Sequence, residues 1–406
     1  MHDPFYKKTI QFEFKKHVLK FNASQDLFSS QSIDKGTQRL LRTFLPIETK
    51  KFKKILDLGC GYGPIGISLK VDSPESEVHM VDRDALAIDY TVQNAELNSV
   101  KVNAYGSLGY DNVVDQDFDL IISNIPAKVG EKVLKHLLLD SQFHITKNGV
   151  VAIVVVDAIK DAVKAILSSD ETVTIILEKS WPGHTVFHYQ FNKSTTKREH
   201  QSFATGLYDR TIGIFRFEGK EFRLKTTYNL SEFDTLSFGT ELFLDTLDSL
   251  KRDKKESVVI FDPNQGHSAL AAMQHFKPHK IILVDQNLQA LKVTERALID
   301  NGYPQENIIL HHQSNLQLPV GKKTEVFLGI LPEKESKAYY EMILNQSIEI
   351  LKPQGILIFA SSSTIITIIE KIIRSRKKNM KIVKREKKKG KSVLVLNIMG
   401  GQYLLL

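Results

Sequence analysis

Short apolar runs alternate along the chain with segments of helical periodicity, and that alternation predicts a mostly parallel sheet flanked by helices. Lys54–Leu58, Glu77–Val81, Asp119–Ser123 and Val150–Val156 are read as strands, the last apolar throughout and expected to be central and buried. Between and after them, Ile65–Val71, Ala85–Asn98, Val129–Leu139 and Asp161–Leu167 read as helices, the second with its apolar spacing at Leu86, Tyr90 and Leu97. Val173–Leu177 and Thr185–Phe191 predict a closing hairpin, and Ile10–Phe21 predicts a β-hairpin layer ahead of the first strand.

The second half repeats this order. Tyr-x-x-Thr-Ile opens both halves, at Tyr6–Ile10 and Tyr208–Ile212, and a Gly-Thr pair follows at Gly36-Thr37 and Gly239-Thr240. Gly63 lies 19 residues before Asp82, and Gly266 lies 19 before Asp285. Asp82 lies 16 before Asn98, and Asp285 lies 16 before Asn301. Pro126 and Gly149 are 23 apart, as are Pro332 and Gly355. Matched spacings of this kind predict a tandem duplication of one α/β unit. The polar stretch Asn192–Gln201 is the expected linker, which divides the chain into domains 1–198 and 199–406.

Composition narrows the class. With 42% apolar and 25% charged residues, this is a core-forming chain, neither disordered nor fibrous, and 406 residues suit two domains. Its longest apolar run, Val150–Val156, is far below the ~18 residues of a membrane span. Met1–Lys8 carries no apolar signal core, so a cytoplasmic location is expected. The single cysteine, Cys60, excludes an internal disulfide framework and a multi-cysteine zinc site, and no metal is expected. Charge is uneven. Residues 1–198 hold 25 Lys/Arg against 24 Asp/Glu, whereas 199–406 hold 30 against 23. Lys371–Lys391 alone carries 12 basic residues and one acid, Glu386. A block this concentrated suggests a polyanionic partner; its plain alternative is a solvated helix end and hairpin.

The chemistry-bearing segment is Asp57-Leu58-Gly59-Cys60-Gly61-Tyr62-Gly63-Pro64-Ile65-Gly66, which joins the first predicted strand to the first predicted helix. Its glycines let the backbone turn sharply and approach a ligand closely, and the helix start offers free N–H donors. Asp82 closes the next strand, where a carboxylate can accept both hydroxyls of a ribose. Together these point to a nucleoside-containing cofactor at the carboxyl ends of the strands. Gly61-x-Gly63-x-x-Gly66 with Asp82 also satisfies the dinucleotide pattern, so a nicotinamide stays open on these residues. Asp57-x-Gly59-x-Gly61-x-Gly63, however, resembles motif I of class I methyltransferases that use S-adenosylmethionine. That cofactor lacks a pyrophosphate and carries an ammonium that Asp57 can help hold.

The likeness extends further. Phe28-Ser29-Ser30-Gln31-Ser32-Ile33-Asp34-Lys35-Gly36-Thr37, the glycine loop, and Ser123-Asn124-Ile125-Pro126 together resemble the small-domain methyltransferase family. That family includes bacterial ribosomal RNA guanine-N2 methyltransferases, several of which pair an active domain with a degenerate copy. The likeness covers residues 5–190 with the motifs in order, and 205–400 with few motifs retained. It implies two tandem Rossmann-like class I methyltransferase domains, each a mostly parallel seven-stranded α/β sheet with a terminal antiparallel hairpin.

By position the resemblance assigns Asp34, Gly36 and Thr37 to the methionine end of the cofactor. It puts Ser107 near the adenine, where many relatives carry an Asp. Asn124 and Pro126 match the Asn-Pro-Pro-aromatic motif that holds the exocyclic amine of the target base, with Gly130 matching a following glycine. Ile125 replaces the first Pro of that motif and Ala127 replaces its aromatic. The expected activity is methylation of an exocyclic amine in RNA, with ribosomal RNA guanine-N2 first and Lys371–Lys391 as the RNA contact. Methylation of a small molecule or a protein amide, and a non-catalytic RNA-binding scaffold, are the alternatives.

In the second copy the loop reads Asp262-Pro263-Asn264-Gln265-Gly266, and Ile330 stands where Asn124 does. One cofactor per chain is therefore expected, with the second copy binding substrate or stabilising the first. Cys60 is read as a small loop residue, and His184, His188, His311 and His312 as satisfied histidines rather than ligands.

Overall fold

The computed structural model describes residues 3–115, 117–192, 202–318, 323–334, 336–375 and 380–399. They fall into two compact units, Phe5–Tyr208 and the chain from Asp209 onward. Most of the expected linker, 193–201, lies outside the described residues, as do Arg376, Lys377 and Lys378 of the basic segment.

In the first unit, β1 (Tyr6–Phe14) and β2 (His17–Ser24) form the expected antiparallel hairpin layer. Then come α1 (Lys35–Arg42), β3 (Lys54–Leu58), α2 (Pro64–Asp72), β4 (Glu77–Asp82), α3 (Ala85–Leu97), β5 (Asn103–Gly106) and β6 (Phe118–Asn124). The unit closes with α4 (Glu131–Leu139), β7 (Ile145–Val156), α5 (Asp157–Ser168), β8 (Val173–Trp181) and β9 (His184–Phe191). The seven-stranded sheet runs β5-β4-β3-β6-β7-β9-β8, parallel from β5 to β7 and antiparallel at the terminal hairpin. Helices on both faces of a parallel sheet bury its central strands, which explains the unbroken apolar run in β7. Phe118, Ile121, Ile153, Phe187 and Tyr189 lie at the centre of that core.

Two elements had no sequence signal. The first, α1, is a short polar helix that buries only Gly36, Thr37, Leu40 and Leu41, too few for a clear period. The second, β5, is a four-residue edge strand with no fully buried side chain.

The second unit repeats every element: β10 (Asp209–Phe217), β11 (Lys220–Thr227), α6 (Phe238–Asp248), β12 (Ser257–Phe261), α7 (His267–Phe276), β13 (Lys280–Asp285) and α8 (Leu288–Asp300). β14 (Ile308–His312), β15 (Thr324–Ile330), α9 (Lys337–Glu349), β16 (Leu351–Ser362), α10 (Ser363–Ser375), β17 (Met380–Lys388) and β18 (Lys391–Ile398) follow. Its sheet order, β14-β13-β12-β15-β16-β18-β17, is the first sheet's order position for position. The described part of the basic segment thus contributes the end of α10, β17 and the first residue of β18. Even the backbone exceptions recur: Lys15 and Glu218 have φ of 52° and 48°, and Ser29 and Glu232 have 58° and 63°.

Candidate active site

Side chains of the first unit converge at the carboxyl ends of β3, β4 and β6. Asp57 is fully buried, and its Oδ2 accepts a hydrogen bond from the Gly66 N–H at 2.8 Å, tying the strand to the start of α2. Its Oδ1 is buried with no hydrogen-bond partner. Burial, offset in part by the Gly66 bond and reinforced by the charge of Asp82, pushes its pKa up to about 7. Between Asp57 and α2 the loop holds three left-handed glycines, Gly59 (φ 76°), Gly61 (57°) and Gly63 (100°). Open space surrounds the position a Cβ would take at Gly59 and Gly61. These two are glycines because of backbone angle and ligand approach, not crowding.

Asp82 holds the loop from the next strand. Its Oδ2 accepts from the Gly61 N–H and its Oδ1 from the Asp84 N–H, each at 3.0 Å. The Arg83 N–H is a third backbone donor to this carboxylate, which still leaves acceptor capacity for a ligand hydroxyl. Thr91 donates to the Gly61 carbonyl at 2.9 Å, and Asn94 donates to the Tyr62 carbonyl at 2.8 Å. Both lie on α3, and their support of the loop has no local sequence signature.

On the other side of the loop lies Asn124, at the end of β6. Its Nδ2 donates to Asp34 Oδ2 at 2.9 Å and to Thr37 Oγ1 at 3.1 Å. Asp34 also caps α1 through the Thr37 N–H at 3.0 Å. The carboxylate can only accept, so it fixes the amide orientation and turns Asn124 Oδ1 away from the pair as an acceptor. Asp34 and Thr37, expected at the cofactor's methionine end, set the orientation of Asn124 in this structure. A Cβ at Gly36 would lie 2.8 Å from Asp34 Oδ2 and 2.9 Å from His184 Cδ2, so this glycine is demanded by close approach. It also brings His184 to the site's edge, a residue the sequence offered no reason to select. Ile125 is buried, whereas Pro126 and Ala127 are exposed, as is Phe28 on the segment leading to Asp34.

Other expectations resolve individually. The Ser107 hydroxyl donates to the Gly109 carbonyl at 2.8 Å and accepts from the Asn112 N–H at 3.0 Å, so this side chain shapes its own loop. His188 is a satisfied core histidine, buried and hydrogen-bonded to Thr43 Oγ1 at 2.9 Å, and burial pushes its pKa down to about 4. Cys60 is buried beside Thr91, and burial raises its thiol pKa. Among the described residues no helix is long and apolar enough to cross a membrane, and no group of three or more His, Cys, Asp or Glu could hold a metal.

Residues 18–180 match the family Methyltransferase small domain. Protein YbxB of Bacillus subtilis is 34% identical over 151 residues, 37% of this chain and 74% of its own length. The chain belongs to the methyltransferase small-domain family. Ribosomal RNA small subunit methyltransferase C of Haemophilus influenzae is 33% identical over 132 residues, which span 32% of this chain and 39% of that protein. The T. thermophilus 16S rRNA N2 G1207 methyltransferase, solved with AdoMet and guanosine, matches with a TM-score of 0.64 at 11% identity. That match covers 97% of this chain and 98% of the other, which establishes the two-unit fold. Membership makes the chain an S-adenosylmethionine-dependent methyltransferase. The donor set of the site agrees: a buried acid with an unsatisfied oxygen for an ammonium, open glycines, and a strand-end acid for a ribose.

Proposed function

We propose that the first unit of this small-domain methyltransferase methylates an exocyclic base amine in RNA, with guanine N2 of ribosomal RNA as the target. The observation that carries this reading is the fixed amide of Asn124, which presents Oδ1 as an acceptor beside the glycine loop. An exocyclic amine is a weak nucleophile because its lone pair is delocalised into the ring. An acceptor on its N–H pulls the nitrogen toward tetrahedral geometry and aims it. When bound, S-adenosylmethionine supplies the electrophilic methyl group. Asp82 would hold its ribose, Gly59, Gly61 and Gly63 its backbone-facing side, and Asp57 its ammonium end. Gly36 keeps the Asp34–Asn124 pair free of a crowding side chain.

The likeness to ribosomal RNA small subunit methyltransferase C supports the RNA assignment and, with it, a cytoplasmic location. Domains 1–198 and 199–406 then divide as catalytic and substrate-binding or stabilising parts. Ala127 favours a second reading, methylation of a small molecule or protein amide, because it offers no ring to stack on a base. Under the RNA reading, Phe28, 73% exposed, supplies that face. Incubation with tritiated S-adenosylmethionine and total RNA, protein and metabolites tests the proposal. Label in RNA that digests to N2-methylguanosine supports it; label confined to protein or metabolites overturns it.

A further inference from the structure

The second unit contains a cavity of about 680 Å³, a volume within the range of ligand pockets. Consecutive residues of β10, Gly213 through Phe217, line it. A strand that turns one face to a cavity contributes every second residue, because its side chains alternate. Consecutive lining residues mean that β10 meets the cavity along its edge. Among the described residues β10 pairs only with β11, so this edge leaves its backbone N–H and C=O groups available. Ile212 and Ile214 beside it are 54% and 64% exposed.

Across from this edge α6 places Glu241, Asp245 and Asp248 on one helical face. Their equivalents in the first unit, at the offset of Gly63 to Gly266, are Gln38, Arg42 and Leu45, so the fold itself does not require acids here. Asp245 and Asp248 are 68% and 55% exposed, and each has one solvent-exposed ion-pair partner, Lys388 at 3.8 Å and Arg252 at 3.5 Å, pairs weak enough for a bidentate guanidinium to replace. His267, also in the lining, is only 8% exposed, and its Nδ1 has no hydrogen-bond partner. Burial holds its imidazole below the ordinary pKa, so the ring is neutral and one nitrogen accepts.

We infer that this cavity binds an extended, arginine-bearing peptide segment, paired by its backbone to the edge of β10 with guanidinium groups on the α6 carboxylates and His267. The α6 wall offers acceptors, and guanidinium groups carry only donors; the two cations that also line the cavity, Arg216 and Lys388, are paired with Glu221 and Asp245. A nucleic acid would bring phosphates against the same acids. A free polyamine shares the charge but has no backbone to pair with a strand edge.

A fluorescein-labelled peptide alternating four arginines with four valines, titrated with the full chain and followed by anisotropy, tests this assignment. Saturable binding is expected, weakened at least about tenfold by Asp245→Asn with Asp248→Asn, by His267→Leu, and by N-methylation of alternate peptide amides. The exposed carboxylate pair and the methylated peptide decide the matter even if His267→Leu misfolds. S-adenosylmethionine affinity, which belongs to the other unit, should not change. Equal binding of the methylated peptide, full binding by the double variant, or displacement by spermidine at matching affinity would each overturn the inference.

Discussion

Asn124 is useful to a methyltransferase only if its amide points one way, and residues 90 and 87 positions earlier decide that. Asn124→Ala should leave S-adenosylmethionine affinity within a few-fold while lowering methyl transfer about 100-fold, the scale of losing one positioned polar group. Asp34→Ala should lower transfer too, and should also cost about 1 kcal/mol of stability because α1 loses its cap. Single-turnover methylation with calorimetric cofactor titration separates these effects, and unchanged turnover in Asn124→Ala would reduce it to a turn residue. Asp57 makes a different prediction. Burial raises its pKa from 3.8 to about 7, so between those values the folded protein keeps a proton that the unfolded chain has released. Its contribution to stability is therefore full below the unfolded value and lost as pH rises through about 7. Urea unfolding of cofactor-free protein should show Asp57 contributing about 2 kcal/mol more at pH 5 than at pH 8. Asp57→Asn should flatten that difference; an undiminished pH dependence in the variant would assign the titration to another group.

Two copies of one loop show what the glycines are for at the scale of the element. Where Gly59 and Gly61 have φ of 76° and 57°, Asp262 and Asn264 of the second copy keep 56° and 53°, and Gly266 has 96° against 100° at Gly63. The loop shape has survived the loss of two glycines because Asp and Asn tolerate left-handed backbone better than other side chains. Gly61→Asn should accordingly leave the melting temperature of the cofactor-free protein nearly unchanged. It should still weaken S-adenosylmethionine by tenfold or more, because the new side chain enters the space the bare glycine leaves open. A large drop in melting temperature would mean the glycine serves folding rather than the ligand. Alternation, the duplication and the glycine loop were legible because each repeats at a short period or fixed spacing. The Asp34–Asn124 pair, the approach of His184 to Gly36 and the support of the loop by Thr91 and Asn94 were not, because they join residues distant in sequence across the ends of the sheet. The internal partners of the Ser107 hydroxyl, Gly109 and Asn112, were not legible either, because they depend on the turn the loop makes.

At the scale of the whole molecule, the excess positive charge sits in the segment Lys371–Lys391, yet the structure divides that block by role. Arg385 binds Glu370 at 2.6 Å, a carboxylate only 8% exposed, and Lys384 and Lys391 meet Glu386 and Glu333 at 3.2 and 3.1 Å. Lys381, Lys387 and Lys389 are exposed, and the last lies 4.0 Å from the ring centroid of Phe238. Arg385→Ala should therefore act on folding, destabilising by about 3 kcal/mol by leaving Glu370 buried and unpaired. Lys381→Gln, Lys387→Gln and Lys389→Gln together should act on a polyanion instead. If these side chains track phosphates, each releases counterions, and each single-strand contact adds ~0.7 to the log–log slope of affinity against salt. The triple variant should then bind RNA more weakly with a slope about two units flatter, at unchanged S-adenosylmethionine affinity. Filter binding across a salt series measures this directly. A slope that survives the triple change would make the block a solvated edge of the sheet and leave RNA recognition to other surfaces.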